Sequence, residues 1–402
     1  MLFDHLNKIL IDKISQLDQD SHAKVLSALA HQSEAFNTAL TSQKLPSELS
    51  DFSLASSLYN GTLEEDLEKF KQLSDKWPVV LENGEIVNFR KYDNLDPRWI
   101  EAFIAWLENR KIALSFPDNP PVIPIADEAK LAIFGDWAGG MWFDNTVASR
   151  VSKQISAQQA DYAIHLGDTY YSGSTGEVQT NLLEYWPKSN KANFTLNGNH
   201  DQYHCLPYFN TVLRNQLFAM QQGCSFFALE NSNWVIIGLD TSFFADWDTM
   251  YLHGNLNQKQ IDFLQTQAAK NKAMILLSHH NGLDITGKVP QSPLYNQVIT
   301  ALSANKQHKY WYWGHIHMGA AYAEQDGIKP RVVGHGVIPF GHARLLDEAD
   351  QVLWFEKSPA DQDSMDGSRV QNGFAMLHLD NQTITEKFYG EDGSIHWQSD
   401  QF

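Results

Sequence analysis

Five short polar turns, each closing an apolar run, carry Asp, Asn and His residues at their ends. They are Ile133-Phe134-Gly135-Asp136, His165-Leu166-Gly167-Asp168-Thr169-Tyr170-Tyr171, Leu196-Asn197-Gly198-Asn199-His200-Asp201, Leu276-Leu277-Ser278-His279-His280 and Trp313-Gly314-His315-Ile316-His317. Oxygen and nitrogen donors of these types suit hard or borderline divalent metals and ferric iron. No cysteine lies among them, which sets aside a structural zinc–thiolate site. A lone Gly-Asp after a strand is an ordinary turn. Five such turns in this order point to one centre with Asp168 in the middle. A carboxylate shared between two cations screens their repulsion and lets them sit about 3.5–4 Å apart. His315 and His317, two residues apart, fall on one side of an extended or tight turn. Asn199 offers a neutral amide oxygen.

These turns need a scaffold that brings strand ends together. Apolar runs at 131–135, 162–167, 193–197, 234–239, 273–278 and 309–313 read as strands, and helices are expected at about 144–158, 258–270 and 293–304. Such alternation predicts an α/β domain, in which ligands gather beyond the carboxyl ends of the strands. Arg331–Val333, Phe374–Leu379 and Thr383–Thr385 suggest further strands, the last two joined by Asp380-Asn381, and hence a second sheet stacked on the first. The polar, acidic segment 346–373 reads as a long surface loop.

Upstream the pattern is different. Residues 1–115 are expected to form a mostly helical accessory domain. Phe3, Leu6, Leu10, Ile14 and Leu17 share one helix face, and Ser21 can cap a second helix carrying Val25, Leu26, Leu29, Phe36 and Leu40. Thr62 to Glu65 has the spacing of a capping box. Val79 to Val87 resembles a hairpin closed by Asn83-Gly84, and Pro97 opens a helix lined by Ile100, Phe103, Ile104 and Leu107. Prolines at 117, 120, 121 and 124 break any helix and mark a linker over 116–130. The catalytic domain is then expected over 131–402.

Composition bounds the partners. The chain has 402 residues, 43% of them hydrophobic, with 12 tryptophans, enough for a large core. A net charge of −18 argues against nucleic acid and anionic membranes as main partners. It leaves room for a small phosphorylated substrate, because bound cations invert the local field. The two cysteines, Cys205 and Cys224, exclude a disulfide scaffold and favour free thiols. No run of about 18 apolar residues predicts a membrane span, and the N-terminus lacks a signal-peptide pattern. A soluble, cytoplasmic protein is therefore expected.

The ordered set Gly135-Asp136, Gly167-Asp168, Gly198-Asn199-His200-Asp201, His279 and Gly314-His315-Ile316-His317 resembles the calcineurin-like metallophosphoesterases across about residues 130–320. That resemblance implies a four-layer α/β/β/α sandwich and hydrolysis of phosphoesters by two metal ions. Most members carry Asp-x-His in the first turn. Here the stretch is Asp136-Trp137-Ala138. Asp168-Thr169-Tyr170-Tyr171 matches Gly-Asp-x-x-Tyr and is similar to the purple acid phosphatases, whose tyrosine ligates ferric iron. Ala138 departs from that branch, where glycine is usual.

By this resemblance, Asp136, Asp168, Tyr171 and His317 hold the first ion, with iron implied. Asp168, Asn199, His279 and His315 hold the second, which would be iron, manganese or zinc. Tyr171 as a packed aromatic is the competing reading. Water activated by the metals attacks phosphorus, and His200 protonates the leaving group, its tautomer fixed by Asp201. His280 and His335 would line the substrate pocket, with segments 241–256 and 281–292 at its rim. Arg344 is a further candidate for a phosphate clamp. The resemblance implies a small phosphorylated substrate or a phosphoprotein. A phosphomonoesterase is expected, with a phosphodiesterase or a non-catalytic scaffold of the same fold as alternatives.

Overall fold

The computed structural model describes residues 2–26, 29, 56, 59–61, 79–80, 86–87, 98–110, 112–137, 146–338, 342–343, 346–360 and 369–399. Two sheets form the body. The first runs through six strands in the order β16-β15-β14-β4-β5-β6. Here β4 is Glu128–Phe134, β5 Tyr162–His165, β6 Ala192–Thr195, β14 Gly373–Asp380, β15 Thr383–Gly390 and β16 Ile395–Gln398. The second has eight strands in the order β13-β11-β12-β10-β9-β8-β7-β3. Its members are β3 Val122–Pro124, β7 Phe227–Glu230, β8 Trp234–Gly238, β9 Ala273–Ser278, β10 Lys309–Trp313, β11 Gly319–Tyr322, β12 Lys329–Val333 and β13 Val352–Phe355. The Asn-Gly hairpin is present as β1 (Val79–Val80) paired antiparallel with β2 (Ile86–Val87).

Three apolar clusters make the layers. Leu131, Ile133, Ile164 and Phe194 of one sheet meet Phe227, Ile236, Ile275 and Tyr312 of the other, which fills the space between the sheets. On the outer face of the six-stranded sheet, Ala132, Phe134 and Ala163 pack on Val147, Val151 and Ile155 of the helix Thr146–Ala157. On the outer face of the eight-stranded sheet, Leu276 and Trp311 pack on Leu264 of the helix Gln258–Ala268 and Val298 of the helix Leu294–Leu302. Both faces of each sheet are thus covered. Central strands such as β8 and β9 are accordingly near-continuous apolar runs. The layers are α/β/β/α, preceded by a region with helices, as expected.

In chain order we call the long helices α1 (Leu2–Ser15), α2 (Arg98–Asn109), α3 (Thr146–Ala157), α4 (Asn199–His204), α5 (Gln258–Ala268) and α6 (Leu294–Leu302). Residues 19–26 are also helical. The stretches around Phe36–Leu40 and Thr62–Glu65, together with Ala138 and Arg344, lie outside the described residues. Buried Leu10, Ile14, Ile100, Phe103 and Trp106 share one cluster with Tyr170, Tyr171, Tyr203, Met250 and Tyr251. The N-terminal helices therefore sit directly on the strand-end loops.

Two expectations need correction. The segment 346–373 is not simply a surface loop, because β13 pairs with β11 and Arg369 to Asn372 are buried. The proline-rich stretch 116–130 is not only a linker: β3 pairs with β7 and closes the edge of the eight-stranded sheet.

Candidate metal centre

All five turns emerge at the carboxyl ends of parallel neighbours. β4, β5 and β6 pair in parallel, as do β9 and β10. The chain must then turn sharply, and Asp136, Asp168 and His315 all take left-handed backbone, with φ of 59°, 69° and 63°. Each such non-glycine residue costs about 1–3 kcal/mol, and such strain persists where surrounding structure enforces it. Two glycines give the room required. A Cβ on Gly198 would lie 2.0 Å from Asp168 Oδ1, and one on Gly314 would lie 2.6 Å from Asp136 Oδ2. Both loops can therefore close on the carboxylates only without side chains.

Four donors converge on one point. Asn199 Oδ1 lies 2.8 Å from His279 Nε2 and 3.0 Å from His315 Nδ1, and the two imidazole nitrogens are 3.2 Å apart. Asp168 Oδ1 is 3.3 Å from His279 Nε2. Donors about 2.1 Å from one tetrahedral ion sit about 3.4 Å from each other, so this set fits a cation. His279 Nδ1 donates to the carbonyl of Leu166 at 3.1 Å, which turns Nε2 toward the centre. Asp168 Oδ2 is buried and accepts no hydrogen bond among the described residues. The other side holds Asp136, whose Oδ1 is 3.5 Å from His317 Nε2. Asp136, Asp168 and His279 each offer an atom within a 4.8 Å span, as do His279, His280 and His315.

The tyrosine at this side is Tyr170. Its hydroxyl lies 3.4 Å from Asp136 Oδ1 and in close contact with His317 Nε2. Tyr171 is fully buried and belongs to the apolar cluster with the N-terminal helices, as does the ring of Tyr170. The Gly-Asp-x-x-Tyr spacing selects Tyr171. The structure instead brings the preceding tyrosine's hydroxyl to the carboxylate.

Burial sets the electrostatics. It pushes Asp136 and Asp168 well above the usual carboxylate range, with backbone hydrogen bonds and His200 pulling the other way. Burial also pushes His279 and His315 well below the usual imidazole range, helped by neighbouring histidines. Burial thus favours neutral imidazoles, whose lone pairs suit a cation, and a cation in turn would favour the ionised carboxylates. Donor types, convergence and charge all fit a bound metal.

His200 and Asp201 act differently from each other. His200 Nδ1 is 2.7 Å from the carbonyl of Tyr171. A carbonyl only accepts, so Nδ1 carries the hydrogen and Nε2, 3.9 Å from Asp168 Oδ2, faces the centre. The tautomer partner is therefore this carbonyl and not Asp201. Asp201 Oδ2 accepts the backbone N–H of Asp168 at 3.0 Å and of Gly198 at 2.9 Å, tying two turns together.

The expected pocket histidines are both enclosed. His280 Nε2 donates to the carbonyl of Tyr251 at 2.7 Å, and its Nδ1 accepts from the Thr241 hydroxyl at 2.9 Å. Neither nitrogen is left for a substrate. His335 is buried between Gly319 and Gly373 and stacks on Phe388, inside the sandwich and not at a rim. His165 is packed and bonds Thr195 Oγ1 at 3.2 Å, and burial pushes it down to about 3. Asp240 and Thr241, beyond the end of β8, belong to none of the five turns. An apolar run ending in Asp240-Thr241-Ser242 was the available signal.

A family model described as calcineurin-like phosphoesterase matches residues 129–319. Solved structures with similar folds include Plasmodium GAP50, the anchor in the inner membrane complex. It is 14% identical, with a TM-score of 0.48, over 68% of this chain and 88% of that one. Another is the purple acid phosphatase PPD1 from yellow lupin seeds, at 13% identity and TM-score 0.46 over 67% of this chain and 53% of that one. A dimetal phosphatase from Danio rerio has 12% identity and TM-score 0.44, over 68% and 98%. No curated protein sequence matches. Among the described residues no helix is long and apolar enough to cross a membrane.

Proposed function

We propose, for a chain whose residues 129–319 are a calcineurin-like phosphoesterase domain, a phosphomonoesterase that works through a dinuclear metal centre. The observation that carries this reading is the convergence of Asn199 Oδ1, His279 Nε2 and His315 Nδ1 within 3.2 Å of one another, with Asp168 Oδ1 3.3 Å from His279 Nε2. Asp168, Asn199, His279 and His315 would hold one ion. Asp136, Tyr170, His317 and the shared Asp168 would hold the other. Tyr170 replaces Tyr171 in this set because its hydroxyl is the one beside Asp136 and His317. Iron fits the tyrosine-bearing site, and iron, manganese or zinc fits the other.

Bound metals supply Lewis acidity toward the phosphoryl oxygens and lower the pKa of water. The chain's own contribution is positional. Asp136 accepts the backbone N–H of His315 at 3.0 Å and so holds the Gly-His-x-His turn against the first turn. His200, locked at Nδ1, presents Nε2 for protonation of the departing alcohol or phenol.

The test is the purified protein assayed on a generic aryl phosphate after loading with iron, manganese or zinc, against Asp168→Asn. We expect two metal equivalents and turnover in the parent and loss of both in the variant. Wild-type hydrolysis by Asp168→Asn would sink the assignment.

A further inference from the structure

We infer that Asp240 is a positioning residue for the candidate metal centre, holding Asn199 and His200 in place through Asn197. This rests on the two-metal reading of the site. The strand β8 ends at Gly238 between β7 and β9 and sends no candidate ligand to the centre. Yet Asp240, Thr241 and Ser242, just beyond it, are all fully buried. Each of the three bonds a loop that carries candidate ligands.

The contacts are specific. Asn197 Nδ2 donates to Asp240 Oδ1 at 3.1 Å and to Oδ2 at 3.3 Å. The Ser242 hydroxyl donates to the carbonyl of Asn197 at 3.0 Å. Asn197 is thereby held by side chain and backbone, two residues before Asn199 and three before His200. Thr241 Oγ1 receives the backbone N–H of His280 at 3.2 Å and bonds its Nδ1 at 2.9 Å, which fixes the residue after His279.

Asp240 itself cannot drift. Its N–H donates to Gln260 Oε1 at 2.9 Å, and Gln260 Nε2 donates to its carbonyl at 2.8 Å, so the amide of a buried glutamine on α5 clamps its backbone. Oδ1 also takes the N–H groups of Ser242 and Phe243 at 3.1 and 3.0 Å. The carboxylate therefore joins a rigid helix to the Gly198-Asn199-His200 turn. Groups that orient a metal ligand typically affect metal affinity by about 10–100-fold.

The geometry supplies its own test. In Asp240→Asn, Oδ1 keeps the Ser242 and Phe243 N–H groups, but the new amide NH₂ faces the NH₂ of Asn197. One of the two contacts with Asn197 thus becomes donor against donor and pushes the amides apart, which weakens the link while the turn survives. The exchange Asn197→Asp with Asp240→Asn restores a donor and an acceptor with no change in net charge. Metal affinity is measured by titrating apo protein with zinc and counting bound equivalents by elemental analysis, alongside kcat on an aryl phosphate and Tm. We expect one of the two equivalents to weaken about 10–100-fold in Asp240→Asn, the other to stay, kcat to fall, and the exchanged pair to recover both. Two unweakened equivalents in Asp240→Asn would overturn the assignment. So would a loss that tracks Tm alone and is not recovered by the exchange. A parent protein that binds no metal would overturn the two-metal reading and this inference with it. Should Asp240→Asn fail to fold, Asn197→Ser removes the same donor, and unweakened binding there is equally decisive against the proposal.

Discussion

The carbonyl of Tyr171 accepts a hydrogen bond from His200 Nδ1 at 2.7 Å, so the tyrosine's backbone orients this imidazole toward the candidate centre. The bond leaves Nε2 as the atom that takes up and gives back a proton. His200→Ala is expected to lower kcat by about 10²–10⁴-fold with metal content unchanged. Elemental analysis beside steady-state kinetics checks it, and loss of metal would move His200 among the ligands.

The adjacent tyrosines should separate cleanly. Tyr170→Phe removes the hydroxyl near Asp136 and His317 and should abolish the visible charge-transfer band of iron-loaded protein. Tyr171→Phe should retain the band and the metal content, because that ring belongs to the apolar cluster beneath the N-terminal helices. Absorption spectra of the two variants decide. A band lost in Tyr171→Phe and kept in Tyr170→Phe would reverse the assignment.

A buried ion pair joins the two sheets. Arg331 on β12 donates through Nε and Nη2 to the two oxygens of Glu386 on β15, at 2.7 and 2.9 Å, and both residues are nearly inaccessible. Glu386→Gln leaves the guanidinium without its counter-charge and should cost about 3–5 kcal/mol. Replacing both by well-packed apolar residues should restore most of the loss. Denaturant unfolding measures both.

Stability should also carry one identifiable pH dependence. Its hydrogen bond to Glu356, aided by Asp392, raises the pKa of His396 against the effect of burial. The unfolded value is about 6.5. The stabilisation is therefore complete below that pH and fades as pH rises through the higher folded value. His396→Gln should remove this decline and flatten Tm between pH 6 and pH 8. An unchanged slope would show that the pair contributes nothing.

Much of this was legible in residue order. The strands Ala273–Ser278 and Lys309–Trp313 match the apolar runs residue for residue, because buried parallel strands are continuous in hydrophobicity. The turns were legible because five strand ends carry Asp, Asn or His, a recurrence that ordinary turn chemistry does not require. The tyrosine was not, since spacing cannot distinguish neighbours when the backbone reverses at a left-handed Asp168. β11, Gly319–Tyr322, was hidden because Gly-Ala-Ala-Tyr has little strand preference, and only its partners β12 and β13 make it one. Asp240 was hidden because its importance lies in Asn197 and Gln260, which are distant in sequence.

The cluster shared by Trp106, Phe103, Tyr170, Tyr171 and Tyr203 bears on how this protein can be divided. Trp106 Nε1 also donates to the carbonyl of Trp247 at 2.9 Å, stitching α2 to the loop before Tyr251. A cut near residue 115, which composition alone invites, would lay aromatic rings open to solvent beside the candidate metal ligands. The segment from 116 onward would be released with a sticky face. The smallest unit that can be moved, fused or grafted intact thus includes the N-terminal helices.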